Sequence, residues 1–264
     1  MTDDNEDSIH RRLGEALRPT LALHEQLAAL RDVALPPDSP AMVDSNAVPF
    51  GQLVRSHAMT AATNGVDHLV AWGALYIQGR WAPTFAHMTL LRGSLEGCST
   101  ARWLVDPAVD SRVRIARGVG AQLADLAERA KIENLPRKTP PAPRQPNFRP
   151  ASERIHRLEE AAAAAGICPL RIGHTDVVAR FGPGEASYRL VCSYAHAGMA
   201  LTMATSDLEV ADENDPDGLR VARLTANPQL SLDMTELAIA NASRAVREIY
   251  AYVGHRLDQP TPGD

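Results

Sequence analysis

The sequence predicts a mainly all-α protein, an antiparallel bundle of six to seven helices joined by long proline-rich loops. Apolar residues recur at steps of three and four along several long segments, with charged residues between them. Alanine is abundant and aromatic residues make up only 5% of the chain, which favours close contacts between helix backbones. The 264 residues are enough for one large domain, and we expect residues 1–264 to form a single helical domain.

The apolar periodicity, together with helix start and stop signals, places seven helical segments along the chain. We expect them at residues 19–33, 50–79, 83–105, 111–130, 152–165, 185–206 and 234–257. The periodic pattern begins at residue 8, and Pro19 is expected to kink or split that first segment. Asp110 is the candidate N-cap of the fourth helix, and Pro107 stops the third.

Two proline-rich segments, 35–49 and 135–150, separate these helices. Proline fixes φ and has no N–H to donate, so we expect both segments to be extended surface loops. The second is basic over residues 137–149. Residues 207–217 hold six carboxylates without the spacing of a calcium loop, so we expect a solvated acidic turn that pairs electrostatically with the basic loop.

One stretch is not typical of a helix. Residues 208–226 contain two short β-favourable runs on either side of the turn sequence DPDG. We expect a small β-hairpin there, with an ordered loop as the alternative. The tail, residues 258–264, is expected to be flexible.

Charge and composition exclude several classes of function. The formal net charge of -5 argues against a duplex-DNA binder, and no glycine-rich phosphate loop occurs. The three cysteines are far apart and form no CxxC pair, so we expect neither a disulfide framework nor a metal site. No segment is typical of a secretory signal or a membrane span, which indicates a cytoplasmic protein without a membrane partner. No cofactor is expected.

The second predicted helix carries the most suggestive polar stripe. His57, Asn64, His68 and Trp72 share one helical face, because they lie at multiples of about 3.6 residues from one another. These side chains are candidates to line a polar binding pocket. The structural alternative is a solvent-exposed or interhelical face. His57 and His68 are about 16 Å apart along an ideal helix, too far to share one metal ion.

The third predicted helix carries Arg92 and Glu96 at an i,i+4 spacing, with Trp103 further along the same side. An exposed pair of this kind stabilises a helix by only a few tenths of a kcal/mol. Because the flanking sequence is apolar, the alternative is that the Arg92–Glu96 pair is partly buried. A buried ion pair needs further polar partners. We therefore include all three residues among the candidate binding residues.

The sixth predicted helix carries Ser193 and His196, three residues apart, and Arg189 before them. A serine beside a histidine is a candidate nucleophile and base, although no GxSxG motif is present. Arg189 and His196 also match the R-x4–6-H spacing, so the helix resembles the motif of HEPN-type ribonucleases, which are helical bundles. Leu190 stands where that family usually has a polar residue. Arginine-rich sequences produce this spacing by chance, and only two of the 27 lysine and arginine residues here are lysines.

Two segments, TLLRGSLEGCSTARWLVDP (89–107) and YRLVCSYAHAG (188–198), resemble a loose group of helical proteins from high-GC bacteria. In that group an arginine–glutamate helix ending in Trp-Leu-x-x-Pro is followed by a helix with Ser-x-x-His. The resemblance covers about thirty residues. It implies a helical fold and no particular reaction. It also implies that Arg92, Glu96, Trp103, Ser193 and His196 meet in space.

Two hypotheses of function follow. The first is a helical protein-interaction or small-ligand-binding module, expected to be a homodimer because alanine-rich helix faces suit association. The second is an enzyme with a polar site between the second, third and sixth predicted helices, most concretely a HEPN-like, metal-independent ribonuclease. An RNA partner is expected only under the second hypothesis. The sequence leaves open whether the protein is an enzyme.

Overall fold

Helices make up most of the chain that the computed structural model describes, namely residues 3–79, 83–135, 149–196, 198–210 and 222–257. The helices are α1 (Asp3–Leu17), α2 (Thr20–Ala29), α3 (Pro40–Ala47), α4 (Leu53–Gly73), α5 (Ala86–Leu104), α6 (Ser111–Glu133), α7 (Ala151–Ala164), α8 (His174–Phe181), α9 (Glu185–Ala195), α10 (Met199–Thr205) and α11 (Pro228–Tyr252). A π-helical turn, Ala74–Gln78, continues α4. The prediction of a mainly all-α fold is confirmed.

The centre of the fold is the pair α4 and α5, which make the most extensive contact between any two elements described. The two helices run antiparallel. Gly97 of α5 lies against the backbone of Ala61 and Gly65, and further along the pair Gly93 lies against the ring of His68. A Cβ at position 97 would overlap backbone atoms of α4, so the small residues set how closely these helices approach.

Helix α11 packs along α5 in the same direction and closes the core. Near its start, Ser231 Oγ lies 3.0 Å from His87 Nε2. Two to three turns later, Asn241 Nδ2 donates to Ser99 Oγ at 3.0 Å. All four residues are buried, so these hydrogen bonds fix the register of the two helices from inside the core.

A buried ion pair ties α3, α6 and the end of α11 together. Arg114 donates to both oxygens of Asp44, through Nε and Nη2, at 2.8 Å each. The hydroxyl of Tyr252 donates to the same carboxylate at 2.9 Å. Asp44 is fully buried. The bidentate geometry and the third donor satisfy a charge that would otherwise be costly to bury.

Polar caps and prolines explain where several helices begin. The side chains of Ser39, Asp110 and Asn227 accept hydrogen bonds from the first turns of α3, α6 and α11. Asp110 is therefore an N-cap, as predicted. The prediction of an extended loop over residues 35–49 is wrong in part, because Pro40 occupies the first turn of α3, where the missing N–H costs nothing.

The predicted helix boundaries differ from the structure at several glycines and prolines. Pro19 splits the first segment into α1 and α2, as expected. The predicted helix 185–206 is interrupted, because α9 ends at Ala195 and α10 begins only after Gly198. Short helix α8 between Gly173 and Gly182 was not predicted, and α11 begins at Pro228, ahead of the predicted residue 234. The described chain therefore has eleven α-helical segments, more than the six to seven predicted.

The small hairpin is present. Strands β1 (Asp207–Val210) and β2 (Ala222–Thr225) pair antiparallel, with Asp207 opposite Thr225 and Val210 opposite Ala222. The residues between the strands, 211–221, lie outside the described chain. So do residues 136–148 and 258–264, and with them the predicted basic loop, most of the acidic turn and the tail.

None of the helices in the described ranges is long and apolar enough to cross a membrane.

Candidate functional site

A cleft of about 690 Å³ lies between α4, α5 and α6, and the segment 171–177 forms its remaining side. Its volume is in the range of ordinary small-molecule sites. The cleft is lined by His57, Thr60, Ala61, Asn64, Glu96, Gly97, Thr100, Trp103, Leu104, Gly120, Ala121, Ala124, Asp125, Ala127, Glu128, Lys131, Arg171, Ile172, His174 and Val177. Four of the predicted binding residues, His57, Asn64, Glu96 and Trp103, line it.

The segment that forms the fourth side is held against α6 at one glycine. The N–H of Leu170 donates to the carbonyl of Ala116 at 2.9 Å, and the carbonyl of Leu170 lies directly against Gly120. A Cβ at position 120 would overlap that carbonyl. Gly120 therefore allows the segment to approach α6, and the next residues, Arg171 and Ile172, reach the cleft.

His57 and Asp125 form a pair on one wall of the cleft. Nδ1 of His57 lies 3.5 Å from Oδ2 of Asp125, and the side chains are 15% and 70% exposed. Nε2 of His57 is buried and has no hydrogen-bond partner among the described residues. A buried nitrogen without a hydrogen-bond partner is destabilising, and a functional role is one of the reasons for which such an atom is retained.

Glu96 lines the cleft, and two hydrogen bonds orient its carboxylate. Its Oε1 accepts a hydrogen bond from Arg92 Nε at 2.7 Å and another from the hydroxyl of Tyr188 at 2.5 Å. Its Oε2 accepts none from any described residue. Burial raises the pKa of Tyr188 above its ordinary value, and the hydrogen bond to Glu96 raises that pKa further. The carboxylate is therefore fixed through one oxygen and open at the other.

Arg92 connects Glu96 to His196. Nη1 of Arg92 lies 2.9 Å from Nε2 of His196. Because a guanidinium only donates, Nε2 accepts this hydrogen bond, and the ring proton of the neutral imidazole lies on Nδ1. The hydrogen bond to Glu96 raises the pKa of Arg92. The three residues thus form one polar network that ends on the cleft wall at Glu96.

No family model, curated protein or solved structure matches this chain.

The described residues contain no group of three or more His, Cys, Asp or Glu side chains placed to hold a metal ion. Four of the ionisable groups of the cleft form two pairs: His57 with Asp125, and Glu128 with Lys131 at 2.6 Å.

The residues predicted as catalytic on the sixth helix are not brought together. Nε of Arg189 pairs with Glu185 at 2.6 Å, and the arginine side chain is 69% exposed. Ser193 Oγ lies 3.4 Å from the carbonyl of Gly198, a weak contact within its own segment. His196 contacts Arg92 instead of either residue.

Two residues of the polar stripe predicted on α4, His68 and Trp72, contribute to helix packing and do not line the cleft. Trp72 is fully buried, and its Nε1 donates to Thr235 Oγ1 at 3.0 Å. His68 lies against Gly93 between α4 and α5. A helix turns by about 100° per residue, so a stripe of this length drifts from the cleft at His57 to the core at Trp72.

Trp103 contributes to both the cleft and the packing around it. It is 7% exposed and lines the cleft. The guanidinium carbon of Arg117 lies 5.3 Å from the centroid of its ring, and Arg117 also donates to the Trp103 carbonyl at 2.5 Å. This cation–π contact holds the indole at the end of the cleft away from Glu96.

The sequence reasoning missed Asp125, Arg171, His174 and Tyr188. The sequence did contain a signal for Tyr188, because this residue lies eight positions before His196, a spacing that places the two near one face of a helix. The other three had none, since Asp125 is one of several charged residues on α6, and the Arg171 segment reaches the cleft only through a long-range contact.

A second cavity, of about 650 Å³, lies between α2 and α4. Three of its charged groups, His24, Asp67 and Arg55, already have partners. Nε2 of His24 lies 3.2 Å from Asp67, and Arg55 donates to the carbonyls of Leu30 and Arg31 after the end of α2.

Proposed function

We propose that the protein is a small-ligand-binding module and that the cleft between α4, α5 and α6 is its ligand site. One observation carries the proposal. Glu96 lines a 690 Å³ cleft that also contains the His57–Asp125 pair, and its carboxylate is held through Oε1 by two donors while Oε2 accepts no hydrogen bond from any described residue. Apolar walls with a few fixed polar groups are the usual composition of a ligand site.

A thermal-shift screen with a library of small polar compounds tests the proposal. A ligand of the folded state raises the melting temperature of the protein. The variant Ala124→Trp fills the cleft with an indole from an exposed position on α6, and Ala163→Trp adds the same group at an exposed position on α7 outside the cleft. We expect compounds that stabilise the wild type and Ala163→Trp and do not stabilise Ala124→Trp. Equal stabilisation of all three proteins, or no stabilising compound, would refute the proposal.

An enzyme is the second candidate, and the His57–Asp125 pair is the observation that favours it. An imidazole beside a carboxylate is a common arrangement for general acid–base catalysis. The ribonuclease version needs Arg189 and His196, and these residues contact Glu185 and Arg92, respectively, instead of each other. RNA cleavage that is lost in His196→Ala and retained in His57→Gln would favour the ribonuclease over the ligand-binding module.

We retain the homodimer as part of the proposal. Its support is the exposure of several large apolar side chains, Ile132 and Leu135 at the end of α6 among them, at 61% and 60%. Isolated apolar residues are also common on the surfaces of monomers, so the oligomeric state has to be measured. Sedimentation equilibrium should give twice the chain mass of 28.5 kDa, and a monomer at all concentrations would refute the dimer.

A further inference from the structure

We propose that the ligand of the cleft is a zwitterion, with an ammonium group at Glu96, an anionic group at Arg171 and an apolar body between them. This inference rests on the proposed function, namely that the cleft binds a small molecule. It adds the chemical class of that molecule.

The carboxylates that line the cleft are the reason to expect an ammonium group at one end of the ligand. Three carboxylates line the cleft, those of Glu96, Asp125 and Glu128. Arg92 pairs with Glu96, and Lys131 pairs with Glu128. One negative charge is therefore in excess among these five groups, and it belongs to Asp125, which lies beside the imidazole of His57. Oε2 of Glu96 accepts no hydrogen bond from the described residues, and a charge-assisted bond from an ammonium group suits an oriented carboxylate.

The anionic end follows from Arg171. Its backbone is fixed, because Leu170 before it donates to Ala116 on α6 and Ile172 after it packs against the core. Its side chain is exposed and forms no hydrogen bond or ion pair with any residue in the described ranges. His174, also exposed, lines the same part of the cleft. A fixed arginine without an internal partner is well placed to bind a carboxylate or phosphate.

The two ends are separated along the helices that line the cleft. Glu96 is next to Gly97, where α5 contacts α4 at Ala61. Trp103 is seven residues further along α5, about 10 Å at 1.5 Å per residue. The Trp103 carbonyl bonds Arg117 of α6, within one turn of Gly120, which contacts Leu170. Arg171 therefore lies at the Trp103 end, away from Glu96.

Part of the wall between the ends is formed by small apolar residues. Ala61, Gly97, Ala121 and Ala124 present methyl groups or bare backbone to the cleft. Beside them, Nδ1 of His57 pairs with Asp125 and Lys131 pairs with Glu128, whereas Nε2 of His57 has no partner among the described residues. An unbranched hydrocarbon chain fits such a surface better than a bulky or polar body does.

Calorimetric titration with ω-amino carboxylates of increasing chain length tests this class. The controls are alkylamines and alkyl carboxylates of the same lengths, each of which carries one of the two charged ends. We expect one chain length of the amino carboxylate to bind about 10-fold or more tightly than both controls, because each charged end adds a charge-assisted hydrogen bond.

Two variants assign the ends. Arg171→Gln should remove the advantage of the amino carboxylate over the alkylamine, and Glu96→Gln should remove its advantage over the alkyl carboxylate. Arg189→Gln, an exposed arginine outside the cleft, should change neither. Circular dichroism and melting temperature establish that each variant is folded. If Glu96→Gln does not fold, Arg171→Gln decides alone, because the exposed Arg171 side chain forms no hydrogen bond or ion pair with any described residue.

The outcomes separate this inference from the proposed function. If a control compound, or a different compound from the screen, binds more tightly than every amino carboxylate and loses its binding in Ala124→Trp, the cleft is a ligand site and the zwitterion inference is wrong. If no compound binds, or if binding is unchanged in Ala124→Trp, both the inference and the proposed function are wrong.

Discussion

Tyr188 donates a hydrogen bond to Oε1 of Glu96 across 2.5 Å, and this bond joins α9 to the wall of the cleft on α5. The tyrosine is buried, and the carboxylate side chain is 20% exposed. Arg92 donates to the same oxygen, so the orientation of Glu96 depends on two donors from different helices.

Removal of the phenolic donor should loosen Glu96. In Tyr188→Phe the carboxylate keeps only Arg92, and we expect the free energy of unfolding to fall by about 1 kcal/mol in urea titrations. Amino-carboxylate binding should weaken in the same variant, whereas alkyl carboxylate binding should not. Equal weakening of both would indicate a general loss of structure instead of a loss of orientation at Glu96.

Removal of the Glu96 charge, the other partner in this hydrogen bond, should change the pKa of Tyr188. Glu96→Gln removes the negative charge that adds to the effect of burial, so the pKa of Tyr188 should move down toward its ordinary value of 10.0. NMR of carbon-13-labelled tyrosine measures this shift. Tyr252, whose pKa is raised by burial and by Asp44, is the internal control and should be unchanged.

The buried Asp44–Arg114 pair predicts a large and asymmetric effect on stability. Arg114→Met leaves Asp44 buried and without its cation, and should lower the free energy of unfolding by about 3–5 kcal/mol. The double variant Arg114→Met, Asp44→Leu should be more stable than the single variant. The exposed pair Arg157–Glu153 is the control, since Arg157→Met should cost less than about 0.5 kcal/mol. Similar losses from both arginines would contradict the burial argument.

His87 predicts a loss of stability in acid. Burial lowers its pKa from 6.5 to about 4, although its hydrogen bond to the Pro83 carbonyl acts in the opposite direction. Between pH 6.5 and about 4 the unfolded chain therefore takes up a proton that the folded protein does not. The stabilising contribution is complete above pH 6.5 and is lost as the pH falls toward 4, by about 3 kcal/mol in total.

Urea unfolding at several pH values measures this effect. The decrease in stability from pH 6.5 to 4 should be smaller in His87→Gln than in the wild type by about that amount. His156→Gln, a change at an exposed histidine on α7, should leave the decrease unaltered. Parallel curves for wild type and His87→Gln would show that His87 is not the group responsible.

Two helical glycines should respond in opposite ways to alanine. At Gly97 a Cβ meets backbone atoms of α4, so Gly97→Ala should destabilise the protein by about 1–3 kcal/mol. At Gly14 of α1 nothing lies within 4 Å of the added Cβ, so Gly14→Ala should stabilise it by roughly 0.5–1 kcal/mol. Melting curves distinguish the two cases, and a tolerated alanine at position 97 would contradict the close contact of α4 and α5.

Local signals in the sequence predicted the helical class, the cap at Asp110, the split at Pro19 and the small hairpin. They did not predict α3 or α8, because Pro40 acts as a helix start only once Ser39 caps the turn, and a two-turn helix between glycines has too little periodicity. Only some of the residues of the candidate site could be predicted from the sequence. Glu96 and His57 lie on strongly patterned helices, whereas Arg171 reaches the cleft only through the contact of Leu170 with Gly120, which sequence periodicity does not encode.

The central claim is that a small ligand binds between α4, α5 and α6. NMR of the histidine side chains tests it most directly, because His57 and His174 line the cleft, His24 lines the cavity between α2 and α4, and His156 lies exposed on α7. The single variants His57→Gln and His174→Gln assign their signals. On addition of the tightest ligand, we expect shifts at His57 and His174 that saturate together, with His24 and His156 unchanged. Shifts at His24 with His57 and His174 unchanged would contradict it.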